Sequence, residues 1–114
     1  MKPAKPHKFG AKAETVDGIR FASKREAKRW GELQMLQRGG LIKELRRQVK
    51  FELAGRNGPI LTPGGRVAQY VADFVYVDNR NGLEIIEDAK GYPTPEYKLK
   101  RAILAAQNIT ITEV

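Results

Sequence analysis

Two aspartates and a lysine carry the pattern most suggestive of chemistry in this chain. In the segment Gly82 to Lys90, strand periodicity puts Ile86, Asp88 and Lys90 on one face and Leu83, Ile85, Glu87 and Ala89 on the other. Upstream, Val71, Asp73, Val75 and Val77 share a face, so Asp73 is expected in an apolar row. A carboxylate there is costly unless it binds something positive. A turn at Asn79 to Gly82 folds the two segments into an antiparallel hairpin and brings Asp73 beside Asp88. Two carboxylates at one spot repel each other, and a hard divalent cation relieves this by taking their oxygens as ligands; Mg2+ is the expected ion, with Mn2+ as a substitute. The main-chain carbonyl of Ala89 is a candidate third ligand. Such a cation would polarise a phosphodiester and help to generate hydroxide from water. Lys90 would orient that water or stabilise developing negative charge. The competing reading is a solvated strand face, with an Asp88–Lys90 ion pair and Asp73 at a strand edge.

Glu26 is the next candidate. It lies one helical turn before Trp30, on the side of Leu33, and so points partly toward the core. Its rival role is in a capping box over Ser23-Lys24-Arg25-Glu26, the carboxylate reaching back to the Ser23 amide. Gln48 shares a strand face with Lys50 and Glu52 and faces either the site or solvent. The basic side chains fall in clusters: Lys24, Arg25, Lys28 and Arg29 on a first helix, Arg46 and Arg47 on a strand, Lys98 and Arg101 on a second helix. In a DNA-cleaving protein, Lys24, Arg25, Lys28, Arg29, Gln48, Lys98 and Arg101 would contact DNA. Otherwise the charged ones are solvated helix faces.

The totals narrow the class of protein. Lys and Arg number 21 against 13 Asp and Glu, a net charge of +8 that favours a polyanionic partner. The chain has no cysteine, which excludes disulfides, thiol catalysis and cysteine-bound zinc, and a single histidine, His7. No apolar run approaches the roughly 20 residues of a membrane span, and no apolar signal core opens the chain, so a cytoplasmic location is expected. Nothing points to a small-molecule cofactor.

The elements that must position these residues follow from local pattern. Met1 to Glu14 reads as a basic, flexible arm, and Thr15 to Val114 as one domain. Asp17-Gly18 between β-formers suggests a tight hairpin. Ser23 caps a helix running to Arg38, closed by Gly39-Gly40, with Trp30, Leu33 and Leu36 or Gln37 on its apolar face. A strand over Ile42 to Leu53 precedes a Gly/Pro-rich stretch, Ala54 to Gly65, expected to be a mobile loop. Strands over Arg66 to Val77 and Leu83 to Lys90 follow. Thr94-Pro95 then opens a second helix with a Leu99, Ala102, Ile103, Ala106 stripe, and Ile109 to Thr112 form a closing strand. The order is α-β-β-β-α-β, an α/β fold with a mixed sheet flanked by helices.

Asp73 followed by Asp88-Ala89-Lys90 across a hairpin, in this element order, resembles the PD-(D/E)XK nuclease superfamily. Glu26 matches the acidic residue that many members carry on the first helix. Ala72 stands where the motif's proline would be, a departure common in that superfamily. The longer string of Asp17-Gly18, Phe21, Ser23-Lys24, Glu26-Ala27, Gln48, Tyr70-x-Ala72-Asp73-Phe74, Glu87-Asp88-x-Lys90-Gly91 and Tyr97-x-Leu99-Lys100 is similar to a phage-associated endonuclease-like family, formerly a domain of unknown function. The resemblance implies a restriction-endonuclease-like core and metal-dependent hydrolysis of DNA in phage recombination, replication or packaging. It implies Asp73 and Asp88 as ligands, Lys90 as the catalytic lysine and Glu26 as a supporting acid. A subtype acting on branched DNA or Holliday junctions would want a homodimer. The alternatives are a non-catalytic DNA-binding module on a nuclease-like scaffold and an RNA- or ribosome-associated basic protein.

Overall fold

The computed structural model describes residues 13–16, 18–89 and 93–114. Most of the expected N-terminal arm, Asp17 and Lys90 lie outside the described residues. The elements are β1 (Glu14–Val16), β2 (Ile19–Phe21), α1 (Lys24–Arg38), β3 (Ile42–Glu52), β4 (Ala54–Gly55), β5 (Gly58–Pro59), β6 (Gln69–Asp78), β7 (Glu84–Asp88), α2 (Pro95–Ala106) and β8 (Thr112–Glu113). Strands β3, β6, β7 and β8 form one mixed sheet in that order. The first three run antiparallel and β8 joins β7 in parallel after the α2 crossover. No helix among the described residues is long and apolar enough to cross a membrane.

Local chemistry sets the ends of both helices. Ser23 Oγ accepts the Glu26 amide at 3.1 Å, and Thr94 Oγ1 accepts the Tyr97 amide at 3.1 Å with Pro95 at the first helical position. At the β6–β7 turn the Gly82 amide donates to the Asp78 carbonyl at 2.8 Å, with Gly82 at φ 73°. A side chain is rarely tolerated at that angle, and glycine adopts it freely.

Both faces of the sheet are covered. Leu33, Ile42, Phe74 and Tyr76 form one core cluster, with Trp30 and Leu36 of α1 packed against it. Leu53, Tyr70, Ala72, Val75, Ile86, Tyr97, Leu104 and Ile111 form the other, on the α2 side. Each large apolar side chain taken fully out of water contributes roughly 1.5–3 kcal/mol.

Four expectations need correction. Tyr97 and Leu104, with Ile103, anchor α2, whereas Leu99 is 63% exposed and Ala102 and Ala106 face solvent. Once Tyr97 is drawn in against the Tyr70 ring (centroids 6.1 Å apart), Leu99 two residues on is turned to the far side of the helix. The stretch from Ala54 is a small hairpin, β4 against β5, extended by a Leu61–Val67 bridge, because Arg56-Asn57-Gly58 allows a tight reversal. The closing strand is only Thr112–Glu113, since Asn108 at φ 63° turns the chain out of α2 and Ile111 is used in the core. Finally, the valine row is broken: Val75 is buried with Tyr70 and Ala72, while Val71 is 41% exposed. Phe74 and Tyr76 belong to the opposite cluster, so period-two alternation is interrupted at Asp73.

Candidate active site

The site is assembled from α1, β3, β6 and β7, with Gln48 and Asp73 inside their strands and Asp88 at the end of β7. The β6–β7 register pairs Phe74 with Glu87, and one residue further Asp73 and Asp88 meet. Burial and the nearby Asp88 carboxylate favour a proton on Asp73. Asp73 Oδ2 accepts the Ala89 amide at 2.9 Å. Ala89 thus contributes its main-chain N–H to Asp73. Asp88 is 1% exposed, and its Oδ2 accepts from the Tyr70 hydroxyl. Burial, together with Asp88, raises the Tyr70 pKa, so the phenol stays protonated and donates.

On the opposite side of Asp73 the contacts run to α1. Gln48 Nε2 donates to Glu26 Oε1 at 3.1 Å and to Asp73 Oδ1 at 3.4 Å. Glu26 is 4% exposed, and its Oε1 also lies 3.5 Å from Arg47 Nη2. Ser23 Oγ caps the Glu26 amide, but the carboxylate turns inward to Gln48 and Arg47, away from the second half of a capping box. Gln48 has φ 52°, a left-handed conformation that a non-glycine residue adopts at a cost. Such outliers persist where surrounding contacts over-determine them.

Behind the site, Glu87 is 1% exposed and receives a bidentate Arg29 at 2.8 and 2.7 Å, with the Tyr76 hydroxyl also donating to Oε2. The Glu87 carboxylate raises the Arg29 pKa above its already high value. Arg29 is one turn after Glu26 on α1, and Glu87 is next to Asp88 on β7. The pair therefore fixes the separation of the helix and strand that carry those two acids.

The remaining candidates lie further out. Lys24, Arg25, Lys28 and Lys98 are exposed, Arg25 reaching the Val114 carbonyl at 3.4 Å. Arg101 is held by Glu113 at 2.7 Å. The sequence pattern gave no site role to Tyr70 or Arg47; both fall inside segments it singled out, but their partners sit on other elements. Among the described residues no group of three or more His, Cys, Asp or Glu side chains is gathered to hold a metal ion. The donors in hand are the two aspartates, with Glu26 linked to them through Gln48.

A family described as "Protein of unknown function (DUF1064)" matches residues 6–113, nearly the full length. The chain belongs to this family. No curated protein and no solved structure matches it. Within this DUF1064 chain, the matched span takes in every residue of the network just described.

The electrostatics of the pair make a prediction about stability. Burial, the hydrogen bond to Asp88 and repulsion from its charge push Asp73 from 3.8 up to about 8, against the lowering effect of the Ala89 amide. Between those values the folded protein holds a proton that the unfolded chain releases. The contribution is complete below pH 3.8 and is lost as pH rises through about 8. In metal-free buffer, Asp73→Asn is expected to flatten the pH dependence of the melting temperature across that window. The variant should overtake the wild type above it. Parallel melting curves for the two proteins would show that the pair does not share a proton.

Proposed function

We propose that this chain is a divalent-cation-dependent endodeoxyribonuclease built on a restriction-endonuclease-like α-β-β-β-α-β core. The observation that carries the reading is the Asp73–Asp88 pair, two enclosed carboxyl side chains brought together on neighbouring strands, where burial and the Asp88 charge favour a proton on Asp73. Where two acids share one proton, a divalent cation can take the proton's place. The donor set suits Mg2+, which keeps several waters and is commonly bound through one or two carboxylates together with substrate phosphates. Asp73 and Asp88 would hold it, with the remaining positions left to water and DNA. Bound there, the cation would polarise the scissile phosphate and activate water for attack.

The chain's own groups divide the rest of the work. Tyr70 fixes the orientation of Asp88, and the Ala89 amide that of Asp73. Gln48 ties Asp73 to Glu26, whose buried carboxylate supplies a further acceptor beside the reacting groups. Lys90, two residues after Asp88, is assigned to stabilising the developing phosphate charge on sequence position and on the resemblance to PD-(D/E)XK nucleases. Lys24, Arg25, Lys28 and Lys98 are the exposed cations assigned to the DNA backbone. Arg29 and Arg101 are engaged by Glu87 and Glu113 and leave that set.

The test is a panel of linear, nicked, flapped and four-way DNA incubated with Mg2+ or Mn2+. Cleavage of at least one substrate, abolished by EDTA, is the expected result. Binding to all four without cutting any would reduce the chain to a non-catalytic DNA-binding module. Preference for the four-way substrate would further predict a homodimer in sedimentation, since two strands must be cut symmetrically.

A further inference from the structure

We propose that Arg47 is a positioning residue for Glu26, presenting one oxygen of that carboxylate to the site by holding the other; this rests on the nuclease reading above. In a regular strand, neighbouring side chains point to opposite faces of the sheet. Arg47 and Gln48 nevertheless both reach Glu26 Oε1, at 3.5 and 3.1 Å. The left-handed backbone at Gln48 (φ 52°) breaks the alternation and lets consecutive residues converge on one acceptor.

The manner in which Arg47 is held distinguishes it from a simple ion pair. Its guanidinium carbon lies 4.5 Å from the Phe21 ring centroid and 5.6 Å from that of Trp30. Aromatic faces attract a cation at such distances. Its Nε is buried without a hydrogen-bond partner, so stacking on the rings, and not a full set of hydrogen bonds, sets its orientation. The Arg29–Glu87 pair shows the contrast: there the fork takes both carboxylate oxygens. At Glu26 the shortest approach of the cation and the Gln48 amide bond both fall on Oε1, and no hydrogen bond among the described residues engages Oε2. With side-chain exposures of 21% and 6%, Arg47 and Glu26 are too enclosed for this arginine to serve as a general phosphate contact.

The experiment is a double-mutant cycle with two readouts, calorimetric titration with Mn2+ alone and single-turnover DNA cleavage. The proteins are wild type, R47M, R47K, E26Q and E26Q/R47M, each checked for a cooperative melt. R47M is expected to slow cleavage by roughly 10–100-fold, the usual cost of losing an outer partner that orients a group in a metal site, with a smaller loss of Mn2+ affinity because Asp73 and Asp88 hold the ion. In the E26Q background the same change should cost nothing more, because Arg47 acts only through Glu26. R47K, which keeps the charge but not the flat fork, should lose several-fold and carries the test if R47M does not fold. Equal losses from R47M in both backgrounds would overturn the proposal in favour of a purely structural role. So would wild-type behaviour of R47M and R47K. A wild type that neither binds Mn2+ nor cuts DNA would instead defeat the nuclease reading itself, before any variant is compared.

Discussion

Asp88→Asn should abolish Mg2+-dependent cleavage while leaving the protein folded and at least as stable as the wild type. Asparagine keeps the shape of the side chain, and its oxygen can still accept from the Tyr70 hydroxyl that now donates to Asp88. Its NH2 can donate to Asp73, taking over from the proton that burial and the Asp88 charge favour there. The change thus removes a repulsion from the metal-free protein and a charged oxygen ligand from the loaded one. Loss of a group that stabilises the transition state directly costs roughly 10²–10³-fold in rate, and loss of a ligand should cost at least that. Single-turnover cleavage measured alongside thermal melting separates the two effects. If D88N cuts within about tenfold of the wild-type rate, well short of that loss, Asp88 has no part in the chemistry. If it melts early, Asp88 is a structural acid.

The largest stability effect is expected at Arg29. Glu87 is 1% exposed, and both its oxygens are taken up by Arg29, with Tyr76 adding a third bond. R29M leaves that carboxylate buried without its cation, a situation that costs about 3–5 kcal/mol. This is a large part of the roughly 5–15 kcal/mol that holds a domain together. E87Q is expected to be milder, because Arg29 keeps 25% of its side chain exposed and can turn its charge to water. Replacing both, as R29M/E87L, should recover much of the loss, since a buried pair exchanged for apolar groups is often near neutral. Urea denaturation of the three variants checks the order. A loss below about 1 kcal/mol in R29M, far under the usual cost of a stranded charge, would mean that Glu87 simply takes up a proton. The pair would then not pin α1 to β7.

The parts of the fold written in short-range chemistry were legible in the sequence. Ser23, Thr94-Pro95 and Asn79 to Gly82 mark their caps and turn because each satisfies backbone groups a few residues away. The approach of Asp73 to Asp88 was also legible, since a tight hairpin alone sets the two positions opposite each other. Less visible were features that depend on partners far along the chain. Nothing near Arg29 says that it will be taken by a carboxylate 58 residues later. Nor does the sequence around Gln48 announce a left-handed residue: there is no glycine or asparagine there, and the side-chain contacts that accompany the conformation are to Glu26 and Asp73, more than 20 residues away. The broken alternation at Asp73 and the reorientation of α2 about Tyr97 have the same origin, tertiary contacts overriding local period.

The kinked course of β3 also bears on how these molecules behave toward one another in solution. That strand is 11 residues long and, among the described residues, forms one border of the sheet, paired with β6. A long straight border is a template onto which another chain can add a strand, a common route to aggregation. Here the border is irregular twice over: Glu44 and Gln48 are both left-handed, and the register with β6 shifts between Lys43 and Arg46. The exposed charges of Lys43, Glu44, Arg46 and Lys50 line the same strand. An incoming chain would meet backbone groups out of phase and a row of charges to desolvate. The distortion that brings Gln48 to the acids thereby also guards the sheet against continuous growth from that side.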